Sequence, residues 1–172
     1  MLQKVREYLQ KQKIDALFVS DKTNIFYLTG FRGSNGYVLV TKNHLYLFTD
    51  SRYTEKAEKN ACEDCRIIDI APGLFFMIHN VLVKHKVKSF GIEAQNLSVV
   101  FFKKLDSLNG FKIHPADNIL SSVRALKRIE ELKAIRQSQK LNEQLLKLIL
   151  DHLKVGVTEA DLAWQMQLIA KD

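Results

Sequence analysis

The chain has 172 residues, 47% of them hydrophobic and 26% charged, which fits one globular domain or one domain with an appendage and excludes a disordered chain. No apolar run reaches the roughly 18 residues of a membrane span, and Met1 is followed at once by Lys4, Arg6 and Glu7, so neither a membrane nor a secretory leader is expected and the cytoplasm is the expected compartment. The net charge of +7 raises nucleic acid as a partner, but the basic residues are scattered and acids interrupt most of them, so no nucleic-acid partner is expected.

Leu2, Val5 and Leu9 recur at helical spacing and predict an amphipathic helix over 2–13. The apolar run 16–20, bounded by Asp15 and Asp21, predicts a buried strand. A short helix or turn over 24–28 follows, and the glycines at 30, 33 and 36 break all periodicity and predict a loop. Two β-rich runs, 37–41 and 44–49, are joined by Lys42-Asn43 and predict a hairpin. Ser51 is positioned to cap a helix reaching residue 60.

A strand over 66–70, a helix after Pro72-Gly73 reaching 85 and a strand over 89–92 come next. A helix over 98–108 capped by Ser98 and a short strand over 112–114 follow, and the unit closes near Ser122. Strands alternating with helices predict an α/β fold, a mixed, mostly parallel sheet flanked by helices. The character then changes. Residues 128–153 contain no Gly or Pro and predict one long helix. Thr158 opens another, with Asp161 three residues on in capping-box style. Its stripe of Leu162, Met166 and Ile169 has no partner after it, so the chain is expected to be cut short. The missing part would carry acids that balance the net charge, and the unpartnered stripe would drive self-association.

Motif searches are mostly negative. The glycine spacing fits neither the dinucleotide fingerprint nor a phosphate-binding loop, and no His-Glu-x-x-His or Gly-x-Ser-x-Gly is present. The five histidines do not cluster in sequence, and Cys62 and Cys65 lack the second pair that a structural zinc site needs. Ordinary half-buried thiols are the favoured reading of that pair. Two stretches remain. The loop 30–36 is either a turn entering the hairpin or a substrate-facing loop, in which Arg32, Ser34 and Asn35 offer donors for a carboxylate or carbonyl. In Asp50-Ser-Arg-Tyr53, either Asp50 and Ser51 cap the helix and Arg52 makes a local ion pair, or Arg52 or Tyr53 faces a cleft.

Several pieces in order and spacing resemble the amino-terminal domain of the creatinase, prolidase and aminopeptidase P family. They are Asp15-Ala-Leu, Asn24-Ile-Phe-Tyr-Leu-Thr-Gly-Phe31, Gly33-Ser-Asn-Gly36 and Phe48-Thr-Asp-Ser-Arg-Tyr53. Val123-Arg124, Lys127, Glu131-Leu132 and Ile135-Arg136 resemble the junction where that family's catalytic domain begins, and Val155-Gly-Val-Thr-Glu159 resembles a turn inside it. The family often has Ser or Thr with Pro after the junction lysine, whereas Arg128-Ile129 stands here.

The resemblance implies a creatinase/prolidase N-terminal domain with a ribonuclease H-like motif over 1–123. Residues 124–172 would be the junction and first helices of a truncated pita-bread metallopeptidase domain. It implies an Xaa-Pro dipeptidase or aminopeptidase as the parent hydrolase, acting on proline-containing peptides as a homodimer. Two divalent metals, manganese or cobalt, would be held by two Asp, one His and two Glu beyond Asp172. No catalytic and no metal-binding residue is then expected in this chain, which is expected to be inactive alone. Its N-terminal domain would support dimerisation and wall the active site, with Phe31, Arg32, Ser34, Asn35, Arg52 and Tyr53 as the substrate-proximal residues. The alternative is a non-enzymatic binding module of the same fold.

Overall fold

A computed structural model describes residues 1–171; Asp172, the last residue of the expected second segment, lies outside the described residues. The chain divides into two compact units, one of Met1–Ala125 and one starting at Leu126.

The first unit is built on a six-stranded sheet. Its strands are β1 (Ala16–Val19), β2 (Gly36–Thr41), β3 (Leu45–Thr49), β4 (Cys65–Asp69), β5 (Ser89–Ile92) and β6 (Lys112–Pro115), in the spatial order β4, β3, β2, β1, β5, β6. β2 pairs antiparallel with both β1 and β3, while β1–β5, β3–β4 and β5–β6 are parallel, so the sheet is mixed and mostly parallel as expected. The predicted turn closes at Lys42-Asn43, where Thr41 N donates to His44 O at 2.9 Å.

Six helices accompany the sheet: α1 (Leu2–Lys11), α2 (Lys22–Thr29), α3 (Ser51–Asn60), α4 (Leu74–Lys84), α5 (Val99–Asp106) and α6 (Asn118–Ala125). The central strands are apolar at every position because helices cover both faces. Side chains alternate across the pleat. Leu17, Val38, Val40 and Leu45 join Val5 and Leu9 of α1 in one core, and Phe18, Leu39, Phe48 and Phe90 join Ile78 and Leu82 of α4 in the other. A one-residue slip of any central strand would exchange these two sets, so the register is strongly specified.

Two local readings change. Asp50, not Ser51, is the N-cap of α3: its carboxylate accepts from Arg52 N at 3.1 Å, and Ser51 is already helical. α6 was not anticipated, because its eight residues include two serines and bury only Ile119 and Leu120, too few apolar positions to make a periodic signal.

Glu93, just past β5, is buried and sets the entry to α2. It accepts from Ser20 N and Asp21 N, each at 2.7 Å, and from Asn24 Nδ2 at 2.5 Å. Asn24 in turn accepts from Arg124 of α6 at 2.9 Å. Asp21 caps α2 through Asn24 N at 2.9 Å.

The second unit contains α7 (Ile129–Leu150) and α8 (Glu159–Ile169). α7 starts at Arg128, where the sequence departs from the family's Ser or Thr: Glu131 takes Arg128 N at 2.8 Å and the Arg128 guanidinium at 3.0 Å, the glutamate's half of a capping box. The capping box of α8 forms as predicted, with Asp161 N donating to Thr158 Oγ1 at 3.2 Å and Thr158 N to Asp161 Oδ2 at 3.1 Å. Neither helix has a buried residue. Among the described residues no helix is long and apolar enough to cross a membrane.

Candidate functional site

The residues singled out in sequence gather at one end of the β2–β3 hairpin. α2 ends on Gly30, which adopts a left-handed φ of 79° and donates N–H to Phe26 O at 2.7 Å. Thr29 bonds back to Ile25 O at 2.7 Å and accepts Phe31 N at 3.0 Å. The chain therefore leaves the helix in a fixed direction and drives Phe31 inward.

Phe31 is only 2% exposed and its ring meets Tyr53 edge-on at 6.0 Å. Phe31, one of the residues expected near substrate, is a buried side chain of the core, because the Thr29 and Gly30 geometry turns it under its own loop. This also gives the glycines their reason. A Cβ on Gly33 would run into the Phe31 ring, and one on Gly36 would lie 2.8 Å from Phe31 Cε1. The close approach these glycines permit is to Phe31.

Above that anchor lies a polar array. Asn35 Nδ2 donates to Asp50 Oδ2 at 2.7 Å, and Thr49 Oγ1 donates to Asn35 O at 2.6 Å. Arg52 grips the same carboxylate twice, Nε to Oδ1 at 3.0 Å and Nη2 to Oδ2 at 2.8 Å. These bonds, from Arg52 first and Asn35 second, hold the Asp50 carboxyl down at about 2, and the carboxylate raises Arg52 in return. Ser34 Oγ and Tyr53 OH lie 2.7 Å apart, and this bond lowers the phenol.

Arg32 stands apart. It is exposed, with its guanidinium carbon 4.5 Å from the centre of the Phe26 ring, and among the described residues it has no ion pair. The array therefore contains one neutralised cation, Arg52, while the loop beside it carries one cation without an ion pair among the described residues, Arg32. Asp50 is the residue that motif reading undervalued. It appeared only as a helix cap, yet it joins the loop to α3; its signal was a carboxylate two residues before an arginine.

The described residues gather no group of three or more His, Cys, Asp or Glu side chains, so they do not fit the paired divalent metals that the resemblance implies. Cys62 and Cys65 are free thiols. Burial first, and the neighbouring Cys62 second, push Cys65 up to about 12, which suits inert thiols better than a reactive pair.

Residues 1–126 match the creatinase/prolidase N-terminal domain. An uncharacterised peptidase, YqhT, of Bacillus subtilis is 25% identical over 96% of this chain and 47% of its own length. An Xaa-Pro dipeptidase of Pyrococcus horikoshii is 20% identical over 99% of this chain and 47% of its own length. The solved structure of an Xaa-Pro dipeptidase from Bacillus anthracis superposes with a TM-score of 0.90 at 21% identity, over 97% of this chain and 47% of that one. The chain thus spans about half the length of the curated relatives it matches.

Proposed function

The chain belongs to the creatinase/prolidase N-terminal domain family, and from that premise we propose that it is the accessory part of an Xaa-Pro peptidase, walling the site where proline-containing peptides are cleaved. The observation that carries the proposal is the uncompensated Arg32 on a loop whose other polar side chains, Ser34 and Asn35, are already hydrogen-bonded to α3 and its cap. An exposed guanidinium backed by an aromatic ring presents a fork of N–H donors that fits a carboxylate bidentately. A peptide carries such a group at its end. Arg32 would hold it, while the Ser34–Tyr53 hydroxyl pair would offer a hydrogen bond beside it.

Arg52 has a different part in this reading. Its charge is spent on Asp50, so it stiffens the wall rather than binds. Rigid walls matter because a misplaced substrate loses the advantage of orientation. The residues over 124–172 would begin the catalytic domain, and the assembled enzyme would be a homodimer. Alone, this chain would not hydrolyse peptides.

The test compares the 172-residue chain with the same chain continued through whatever its gene encodes after Asp172. Both are assayed on an Xaa-Pro dipeptide with manganese. Hydrolysis by the longer protein alone supports the proposal, and Arg32→Ala in it should raise KM more than it lowers kcat. Hydrolysis by the shorter chain overturns the accessory reading. An inactive longer protein, lacking a set of two Asp, one His and two Glu, overturns the peptidase reading and leaves a binding module.

A further inference from the structure

The opposite end of the same hairpin carries a second cluster that the peptidase reading does not use. β2 spans six residues between them, so the Lys42-Asn43 turn lies roughly 23 Å from the Asn35–Asp50 tie. At this end His44 and His85 bring their rings together with centroids 4.8 Å apart. His44 lies at the turn and His85 caps the C-terminus of α4. Tyr46 OH and His85 Nε2 are 2.6 Å apart, and the Arg66 guanidinium sits 6.0 Å from the Tyr46 ring centre. Arg6 reaches in from α1, its Nε donating to Thr41 O at 3.2 Å. Lys84, in the last turn of α4, completes the set.

The charges around these rings are of one sign. Burial acts first to lower His44, followed by Arg66, Lys84 and Arg6; burial also leads for His85, followed by His44, Lys84 and Arg66. No carboxylate acts on either ring, and among the described residues Arg6, Arg66 and Lys84 have no salt bridge. His44 Nδ1 is buried without a hydrogen-bond partner. Folding thus brings Arg66 of β4 and Lys84 of α4 close enough to act on both imidazoles and Arg6 of α1 close enough to act on His44, with no carboxylate acting on either ring.

We propose that the His44, His85, Arg66, Lys84 and Arg6 cluster is a binding site for a small tetrahedral oxyanion of the sulfate and phosphate class. A dianion supplies the missing counter-charge and accepts from guanidinium, ammonium and imidazolium donors together. Its binding also offsets the cost of protonating the two rings, so binding takes up protons and strengthens as pH falls.

The test uses sulfate, which stays a dianion across the whole window, so any pH dependence belongs to the protein. Side-chain imidazole signals of the full 172-residue chain are followed by NMR while sodium sulfate is added at constant ionic strength set with sodium chloride. His44 and His85 should shift and their pKa values rise, while His114 and His152 serve as internal controls. Between the free and the sulfate-bound imidazole pKa values, affinity should weaken by up to about tenfold per pH unit for each proton taken up. Arg66→Gln and Lys84→Gln change exposed side chains, and each should weaken binding about tenfold, the loss of one charge-assisted hydrogen bond. A phosphate monoester in a parallel titration tells whether the site takes only the free anion or an esterified phosphoryl group as well. A response equal in all histidines, one independent of pH, or one unchanged in both variants overturns the site. Peptidase activity plays no part in this readout, so the two proposals fail separately.

Discussion

Gly33 and Phe31 are locked in one piece of packing: the glycine backbone passes so close to the phenyl ring that a methyl group on Gly33 would overlap it. Two residues apart in sequence, they face each other across a loop that has folded over its own side chain. The polar groups of the loop, Ser34 and Asn35, follow directly on a backbone packed against that ring.

Gly33→Ala should therefore destabilise the protein by about 1–3 kcal/mol, the usual cost of forcing a methyl group into filled space. Phe31→Leu opens that space at a cost of its own. The double variant should be more stable than the sum of the two single losses predicts, since they share one cavity. Urea unfolding of all three variants measures the coupling, and strict additivity would refute the packing account.

The buried carboxylate of Glu93 serves three donors. Glu93→Leu would leave Ser20 N, Asp21 N and Asn24 Nδ2 without an acceptor, at about 1–3 kcal/mol for each group that stays buried. Chemical denaturation should register a loss larger than that of any exposed variant, such as Glu55→Ala. Hydrogen exchange should quicken first at the start of α2, because that is where the freed amides lie.

Asp50 gives the loop a pH dependence with a definite sign. Its carboxyl falls from an ordinary 3.8 to about 2 in the fold. A group depressed by folding contributes stability above its unfolded value and loses it as pH falls through its folded value. The tie to Asn35 and Arg52 should hold at pH 7, contribute less stability below about 4, be half lost near 2 and vanish only below that. The Asn35 side-chain amide signal reports it directly. Asp50→Asn keeps a capping oxygen but removes the charge, and should abolish this transition.

The two thiols should differ in reactivity although they are three residues apart. Burial raises both, and Cys65 is the one pushed up to about 12, while Cys62 is exposed. Iodoacetamide at pH 8 should label Cys62 well before Cys65, since only the thiolate reacts. Timed mass spectrometry distinguishes them, and equal labelling would contradict the buried setting of Cys65.

Much of the architecture was written in local pattern. The continuous apolar runs around Phe18, Leu39 and Phe48, the Lys42-Asn43 turn and the Thr158–Asp161 box depend on neighbours within a few residues, and their geometry follows from chain stereochemistry. What tertiary structure alone decided was which distant residues meet. That Phe31 turns inward while Arg32 stays out depends on the Thr29 and Gly30 geometry at the end of α2. That His44 and His85 touch depends on α4 ending beside a turn 41 residues earlier in the chain. Such pairs have no sequence period, because their proximity comes from the packing of whole elements, and only the folded chain brings their charges close enough to act on one another.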